Sequence, residues 1–284
     1  PPEQSLCPQA GLSVAVHELD SAGDDLLEVY RDLRNRPAVE GARFILEGEH
    51  ILERLIASEV ELESVLVSSR KWAAIRHLVP TGVQAYILSD SEIEKLVGFK
   101  FHRGVLACGV RPSLPCFSSF GPPAEEPLKI IACPEITDAE NLGSIIRTGR
   151  CLGASALVLG ERCTDAYSRR CIRVSMGNVF SLPVYKSRDL AGDLAGLDSR
   201  RGVQFVAAVA DAGAQPLHSV IPARDWCVLL GNEEKGLGAE FAEQCDARVC
   251  IPMARGADSL NVSVAAGIIL HHMFSARGDS LRPR

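Results

Sequence analysis

Two stretches of alternating pattern, one on each side of a proline-rich segment, organise the 284-residue chain. In the first, β-branched runs at 43–46, 63–68, 83–88 and 105–110 predict strands. Between them, 49–57, 70–78 and 90–97 carry apolar residues three and four apart, the spacing of a helix face. Asp24 and Asp25 open a further predicted helix over 24–34. In the second stretch, strands at 129–133, 155–159, 180–185, 203–209, 226–230 and 248–253 alternate with helices at 141–152, 167–176, 189–197, 239–244 and 261–275. Such alternation predicts an α/β layer structure, and here a largely parallel sheet with helices on both faces. Ligands of such sheets lie beyond the carboxyl ends of the strands. That rule marks three turns: 133–141, 231–238 and 252–261.

The segment RPSLPCFSSFGPPAEEPLK, 111–129, holds five prolines and no usable periodicity, so it reads as a semi-extended spacer. The expected organisation is an N-terminal extension (1–23), a first α/β domain (24–111), a linker (112–127) and a second α/β domain (128–284). At 46% hydrophobic and 23% charged, the chain has the composition of a globular protein with ample core material. No apolar run approaches the ~20 residues of a bilayer span. The first twenty residues lack the basic and apolar regions of a secretory signal. The ten cysteines are scattered, without a Cys-x-x-Cys pair or zinc-site spacing, so no metal is expected. Cys133, Cys227 and Cys250 fall inside apolar runs and read as small buried hydrophobes. Reduced cysteines predict a cytoplasmic protein, with an organelle as the second option.

A net charge of −6 argues against indiscriminate coating of nucleic acid. The charge is uneven, however. Arg162, Arg169, Arg170, Arg173, Lys186 and Arg188 crowd into 161–188 against Glu161 and Asp165, and Arg31, Arg34, Arg36 and Arg43 form a second basic group. Either patch is a phosphate-binding surface or an ordinary solvated face.

Each of the three marked turns has candidate chemistry beside an ordinary structural reading. In the first, Asn141 is a good helix-cap type, Gly143 suggests close approach of backbone or ligand, and Arg147 lies within the helix that follows. The second runs from an apolar strand into Gly231-x-Glu233-x-x-Gly236; it is neither a Walker A loop nor a dinucleotide fingerprint. Its glycines permit sharp turns and expose backbone, and a Glu fixed at a strand end can orient another polar side chain. In the third, Ser259 and Asn261 flank Leu260 before an almost wholly apolar helix, where capping alone needs only one polar residue. The small residues Ser263, Ala265, Ala266 and Gly267 predict another backbone packed tightly on that helix.

In order, N-L-G-S-I-I-R (141–147), G-N-E-E-K-G (231–236) and I-P-M with S-L-N-V-S-V-A (251–253 and 259–265) resemble the three signature motifs of the SpoU (TrmH-type) RNA 2′-O-ribose methyltransferases of the SPOUT superfamily. R-V-S-M-G-N-V-F-S-L-P-V (173–184) is also similar, and the likeness covers roughly 128–275. F-I-L-E-G (44–48) and H-R-G-V-L-A (102–107) resemble that family's L30e-like substrate-binding domain less strongly.

The resemblance implies a C-terminal sheet threaded into a deep trefoil knot, which connection rules would not have suggested. It also implies S-adenosylmethionine as cofactor, held by Gly231, Ile251 and Leu260. The implied active-site set is Asn141, Arg147, Glu233, Ser259 and Asn261. The implied partners are tRNA or rRNA, with Arg169, Arg170 and Arg173 as RNA contacts, and a second copy of the chain. A homodimer packed through the last helix would account for a helix that is apolar nearly all round. The alternatives are a knotted RNA-binding or assembly protein without activity, and a SPOUT base methyltransferase.

Overall fold

The computed structural model describes residues 14–35, 41–121, 125–211, 213–257 and 259–276. Arg36, of the second basic group, lies outside them, as does most of the expected N-terminal extension. The chain divides into two compact units between Arg111 and Pro112.

The first unit contains β1 (Ala15–Glu18), β2 (Arg43–Glu47), α1 (Glu49–Ile56), β3 (Leu62–Ser68), α2 (Ser69–Ile75), β4 (Gln84–Leu88), α3 (Asp90–Val97) and β5 (Val105–Val110). Its sheet runs β1-β4-β3-β5-β2, with β5 antiparallel to both neighbours. The spacing behind α1 is simple: Ile51, Leu52 and Leu55 lie on one face and are buried. Strand β1 was not legible, because Ala-Val-His-Glu alternates only partly buried and exposed positions at a sheet edge. The helix expected over 24–34 is instead a 3-10 turn, Asp25–Tyr30. Its buried residues, Leu27 and Tyr30, are three apart, which a three-residue turn aligns. Asp32, at φ 49°, then turns the chain away.

The second unit contains β6 (Lys129–Cys133), α4 (Ala139–Leu152), β7 (Ala156–Leu159), α5 (Arg169–Val174), β8 (Val184–Lys186), α6 (Leu190–Arg201), β9 (Gln204–Ala208), β10 (Gln215–Pro216), β11 (Trp226–Leu229), α7 (Ala239–Ala242), β12 (Ala247–Cys250) and α8 (Val262–Ser275). The sheet order is β10-β12-β9-β11-β6-β7-β8, and every pairing is parallel. All carboxyl ends therefore emerge on one edge. From β6 the chain builds outward to β7 and β8, then returns past β6 to β9 on the other side of β11. The β6/β11 boundary is thus the switch point at which ligands collect in such sheets.

Three expectations are corrected here. The strand expected at 180–185 is a 3-10 turn, Asn178–Phe180, followed by a strand only at Val184–Lys186. Gly177 at φ 76° starts that turn, and Pro183 cannot donate to a ladder. The proline-rich segment is no free spacer throughout. Phe117 and Phe120 stack at 5.1 Å and are buried against Tyr185, Leu190 and Leu194. Cys250 is only half-buried, whereas Cys133 and Cys227 are fully buried as expected.

Helix α8 packs on α4, and its end is fixed by Phe274, edge-on to Trp226 at 5.1 Å and beneath the Lys129 ammonium. The helix is not wrapped on all sides. Val264 and Ile268, one turn apart, are 50% and 41% exposed, and nothing lies within 4 Å of where a Gly267 side chain would start. No disulfide joins the described cysteines, and no described helix is long and apolar enough to cross a membrane.

Candidate active site at the switch point

Helix α4 starts beside the switch point, and its cap is Asp138, not Asn141. The Asp138 carboxylate accepts from the backbone N–H groups of Glu140 (2.6 Å) and Asn141 (3.0 Å). Asp-x-x-Asn carried that signal, and a carboxylate also suits the positive end of the helix. Asn141 therefore sits inside the first turn with its amide free for tertiary contacts. Gly143 marks a close approach of backbone: a side chain there would start 2.9 Å from the Cys171 carbonyl oxygen of α5. Arg147 lies six residues beyond Asn141, about 9 Å along the axis and about 120° round it. It is exposed, and its guanidinium makes no hydrogen bond or ion pair with any described residue.

A cysteine that sequence reasoning passed over holds the turn leading into α4. Ile136 N–H donates to Cys163 Sγ at 3.3 Å, and the thiol donates to the Cys133 carbonyl at 3.0 Å. Burial pushes the Cys163 thiol up to about 11, so it keeps the proton it donates.

The turn after β11 is closed on itself. Asn232 and Gly236 exchange both backbone hydrogen bonds (2.9 and 3.0 Å), and the Asn232 side chain accepts from Glu234 and Lys235 N–H. Gly236 supplies the φ of 69° that this turn requires. Gly231 faces the returning chain: a Cβ would sit 2.2 Å from Leu237 N, so no side chain fits. The fold of this turn aims Glu233 at α4, where its Oε1 accepts from Asn141 Nδ2 at 2.8 Å.

The third turn completes a chain of hydrogen bonds. Asn261 Nδ2 donates to Asn141 Oδ1 at 2.9 Å. Asn261 Oδ1 meanwhile accepts from Ser263 N–H (2.9 Å) and Oγ–H (2.6 Å) and caps α8. Asn261 is thus cap and cross-link at once. Asn141, half-buried, uses both ends of its amide and joins the three turns. Ser259 is exposed and has no side-chain partner among the described residues.

Beside this chain a cavity of about 930 Å³ opens between the turns after β9, β11 and β12. Gly231, Ile251 and Leu260 all line it, as do Glu233 and Ser259. Asn141, Arg147 and Asn261 are not in its wall. Leu230, Ile251, Leu260 and Ile269 give it an apolar side, with Gly and Ala leaving backbone accessible. That is the usual make-up of a small-molecule site, at the upper end of the usual volume.

The three expected RNA contacts differ among themselves. Arg170 is held by Glu140 at 2.6 Å, Arg169 is half-buried, and Arg173 is exposed with no side-chain partner among the described residues. Among the described residues, no group of three or more His, Cys, Asp or Glu side chains is placed to hold a metal.

A parallel sheet with a cofactor-sized cavity and three polar turns converging at its switch point is the plan of a SpoU methylase. The model of the SpoU rRNA methylase family matches residues 129–271, which contain every one of these turns, and the chain belongs to that family. A Mycobacterium bovis protein called an uncharacterized tRNA/rRNA methyltransferase is 31% identical over 277 residues, 94% of this chain and 95% of its own. The Bacillus subtilis 23S rRNA (guanosine(2553)-2′-O)-methyltransferase RlmP is 27% identical, covering 90% of this chain and 98% of its own. Among solved structures, an AdoMet-bound rRNA methyltransferase from Sinorhizobium meliloti superposes with a TM-score of 0.78 at 26% identity, covering 94% of this chain and 99% of that one.

Proposed function

We propose that this chain transfers the methyl group of S-adenosylmethionine to a ribose 2′-hydroxyl of rRNA or tRNA. The observation that carries the proposal is the Asn261–Asn141–Glu233 hydrogen-bond chain, which draws all three motifs together beside the cavity that Glu233 lines. The cavity fits the cofactor: an apolar wall with bare backbone suits an adenosine, and carboxylates at Glu233 and Glu234 suit a cationic centre. Gly231, Ile251 and Leu260 would hold it. When bound, the cofactor supplies a methyl on a sulfonium, a group already activated for transfer.

The protein's part is then alignment and removal of one proton. Arg147 is a permanent cation without a partner among the described residues, so it acts by gripping a phosphate next to the target ribose. Its field lowers the pKa of the 2′-hydroxyl and stabilises the oxyanion as it forms, the proton leaving to solvent. Asn141 spends its amide on Glu233 and Asn261, so it is a positioning residue that fixes the loop carrying Ser259. Ser259, exposed at the rim and without a partner among the described residues, is placed to hydrogen-bond the ribose.

The reading extends to four further points. The first unit is the L30e-like RNA-binding domain, and residues 251–261 belong to a trefoil knot. For the first unit the support is the likeness of 44–48 and 102–107 to such a domain. For the knot it is the family match over 129–271 and the sharing of one cavity by the turns after β11 and β12. The chain works as a homodimer through α8, supported by the exposed Val264–Ile268 face that continues to Leu260. The compartment is the cytoplasm, consistent with cysteines that form no disulfide among the described residues.

The test is transfer of labelled methyl from S-adenosylmethionine to total RNA, followed by mapping of the modified nucleotide. Arg147→Ala is expected to abolish transfer with cofactor affinity nearly unchanged. Normal methylation by that variant removes Arg147 from the chemistry, and a base methyl in place of a ribose methyl overturns the proposed reaction.

A further inference from the structure

The cavity wall is unevenly charged. Asp211, Glu233, Glu234 and Glu243 contribute four carboxylates, whereas the described lining residues include only two cations, Lys235 and Arg248. Such a wall attracts an ammonium or a sulfonium and repels a carboxylate. An amino-acid ligand carries both signs, so its carboxylate needs one of the two cations.

Arg248 is already engaged, with Nη2 2.5 Å from Asp211. Lys235 is held far more loosely. Its nearest carboxylate is Glu135 at 3.8 Å, and its side chain is 72% exposed. Glu135 in turn has a closer partner in Arg162, at 3.1 Å, so departure of Lys235 leaves no unpaired carboxylate behind. The backbone of Lys235 is nevertheless fixed, because its N–H donates to Asn232 Oδ1 at 3.1 Å within the closed 232–236 turn. A cation on a rigid base, with a weak and replaceable partner, can swing to an anion at low cost. Neither Arg248 nor any other described residue of the wall offers that combination.

We propose that Lys235 is the anchor for the carboxylate of the cofactor's amino-acid portion, exchanging Glu135 for it on binding. The inference rests on the reading of the cavity as an S-adenosylmethionine site. It assigns selectivity for the intact amino acid to the otherwise unassigned fifth position of G-N-E-E-K-G.

Calorimetric titration of the full chain with S-adenosylmethionine and with its decarboxylated analogue tests this, since the analogue keeps the sulfonium and the amine. The wild type is expected to prefer S-adenosylmethionine by about tenfold, the scale of one partly exposed charge-assisted contact. Lys235→Gln should bring the two affinities close to parity by weakening S-adenosylmethionine alone, and Lys235→Arg should restore the preference. Raising the salt concentration should narrow the wild-type preference. Retention of the full preference by Lys235→Gln overturns the assignment. So does an equal loss for both ligands, or a loss of RNA affinity with cofactor binding untouched, which would make Lys235 a phosphate contact. A wild type that binds neither ligand would instead overturn the cofactor reading itself.

Discussion

Asn141→Asp changes one atom's chemistry at the centre of the site. The amide nitrogen that donates to Glu233 Oε1 at 2.8 Å becomes a second carboxylate oxygen, while the bond from Asn261 to the other oxygen survives. Two carboxylates whose oxygens lie 2.8 Å apart have charge centres roughly 4 Å apart, which costs about 4 kcal/mol at an effective dielectric of about 20. Protonating one of them relieves the repulsion. From an ordinary carboxylate pKa of about 4 that costs about 1.4 kcal/mol per pH unit, again about 4 kcal/mol at pH 7. Both routes give a destabilisation of about 4 kcal/mol near neutrality. The sign of its pH dependence follows from linkage. The folded variant holds the shared proton to higher pH than the unfolded chain does, so its deficit shrinks as pH falls towards 5 and is full by pH 8. Denaturant unfolding of variant and wild type at pH 5 and pH 8 measures this. Adding Glu233→Gln should recover most of the loss, because the amide introduced at position 233 can donate to the carboxylate introduced at position 141 and run the same bond in reverse. A deficit that is independent of pH, or a double variant no better than the single one, refutes the proposed junction of the three turns.

Asp225 accepts from Leu128 N–H at 2.8 Å and from Arg201 at 3.0 Å, tying the ends of α6, β6 and β11 together. Burial alone would push its carboxyl up, but these donors outweigh burial and hold it below the usual range. Its contribution is therefore complete above about pH 4 and lost as pH falls further; Asp225→Asn should cost about 3 kcal/mol at pH 7 in denaturant unfolding and flatten the acid limb. Replacing Val264 and Ile268 together by Glu should leave the unit folded, since both are exposed, and turn a dimer into a monomer in sedimentation. A wild type that is monomeric at micromolar concentration would refute the assignment of that face.

Most of the second unit's layer plan was written in the sequence, because strands of an all-parallel sheet are continuous apolar runs and its helices are amphipathic. Runs such as Lys-Ile-Ile-Ala-Cys and Trp-Cys-Val-Leu read as central strands, whereas the cap of α4 reads as Asn141 and lies three residues earlier, at Asp138. Where elements were misread, local pattern lost to context: Asp25–Tyr30 is a 3-10 turn because Leu27 and Tyr30 reach one core three residues apart. Phe117 and Phe120 leave a proline-rich stretch for the core because Tyr185, Leu190 and Leu194 await them there.

Local sequence named the candidate site residues but could not divide their work, since Glu233 and Asn261 stand 92 and 120 residues from Asn141. Only the parallel sheet, by placing the ends of β6, β11 and β12 on one edge, brought those side chains within hydrogen-bond reach. The same closure decided that Asn261 both caps and cross-links, that the missing side chains of Gly143 and Gly231 make room for neighbouring backbone, and that the Arg147 guanidinium is left without a partner among the described residues. Tertiary structure alone also distinguished Arg170, occupied by Glu140, from Arg173, and Lys235 from Arg248. A cation's availability depends on which carboxylates the fold brings to it, and no local pattern encodes that.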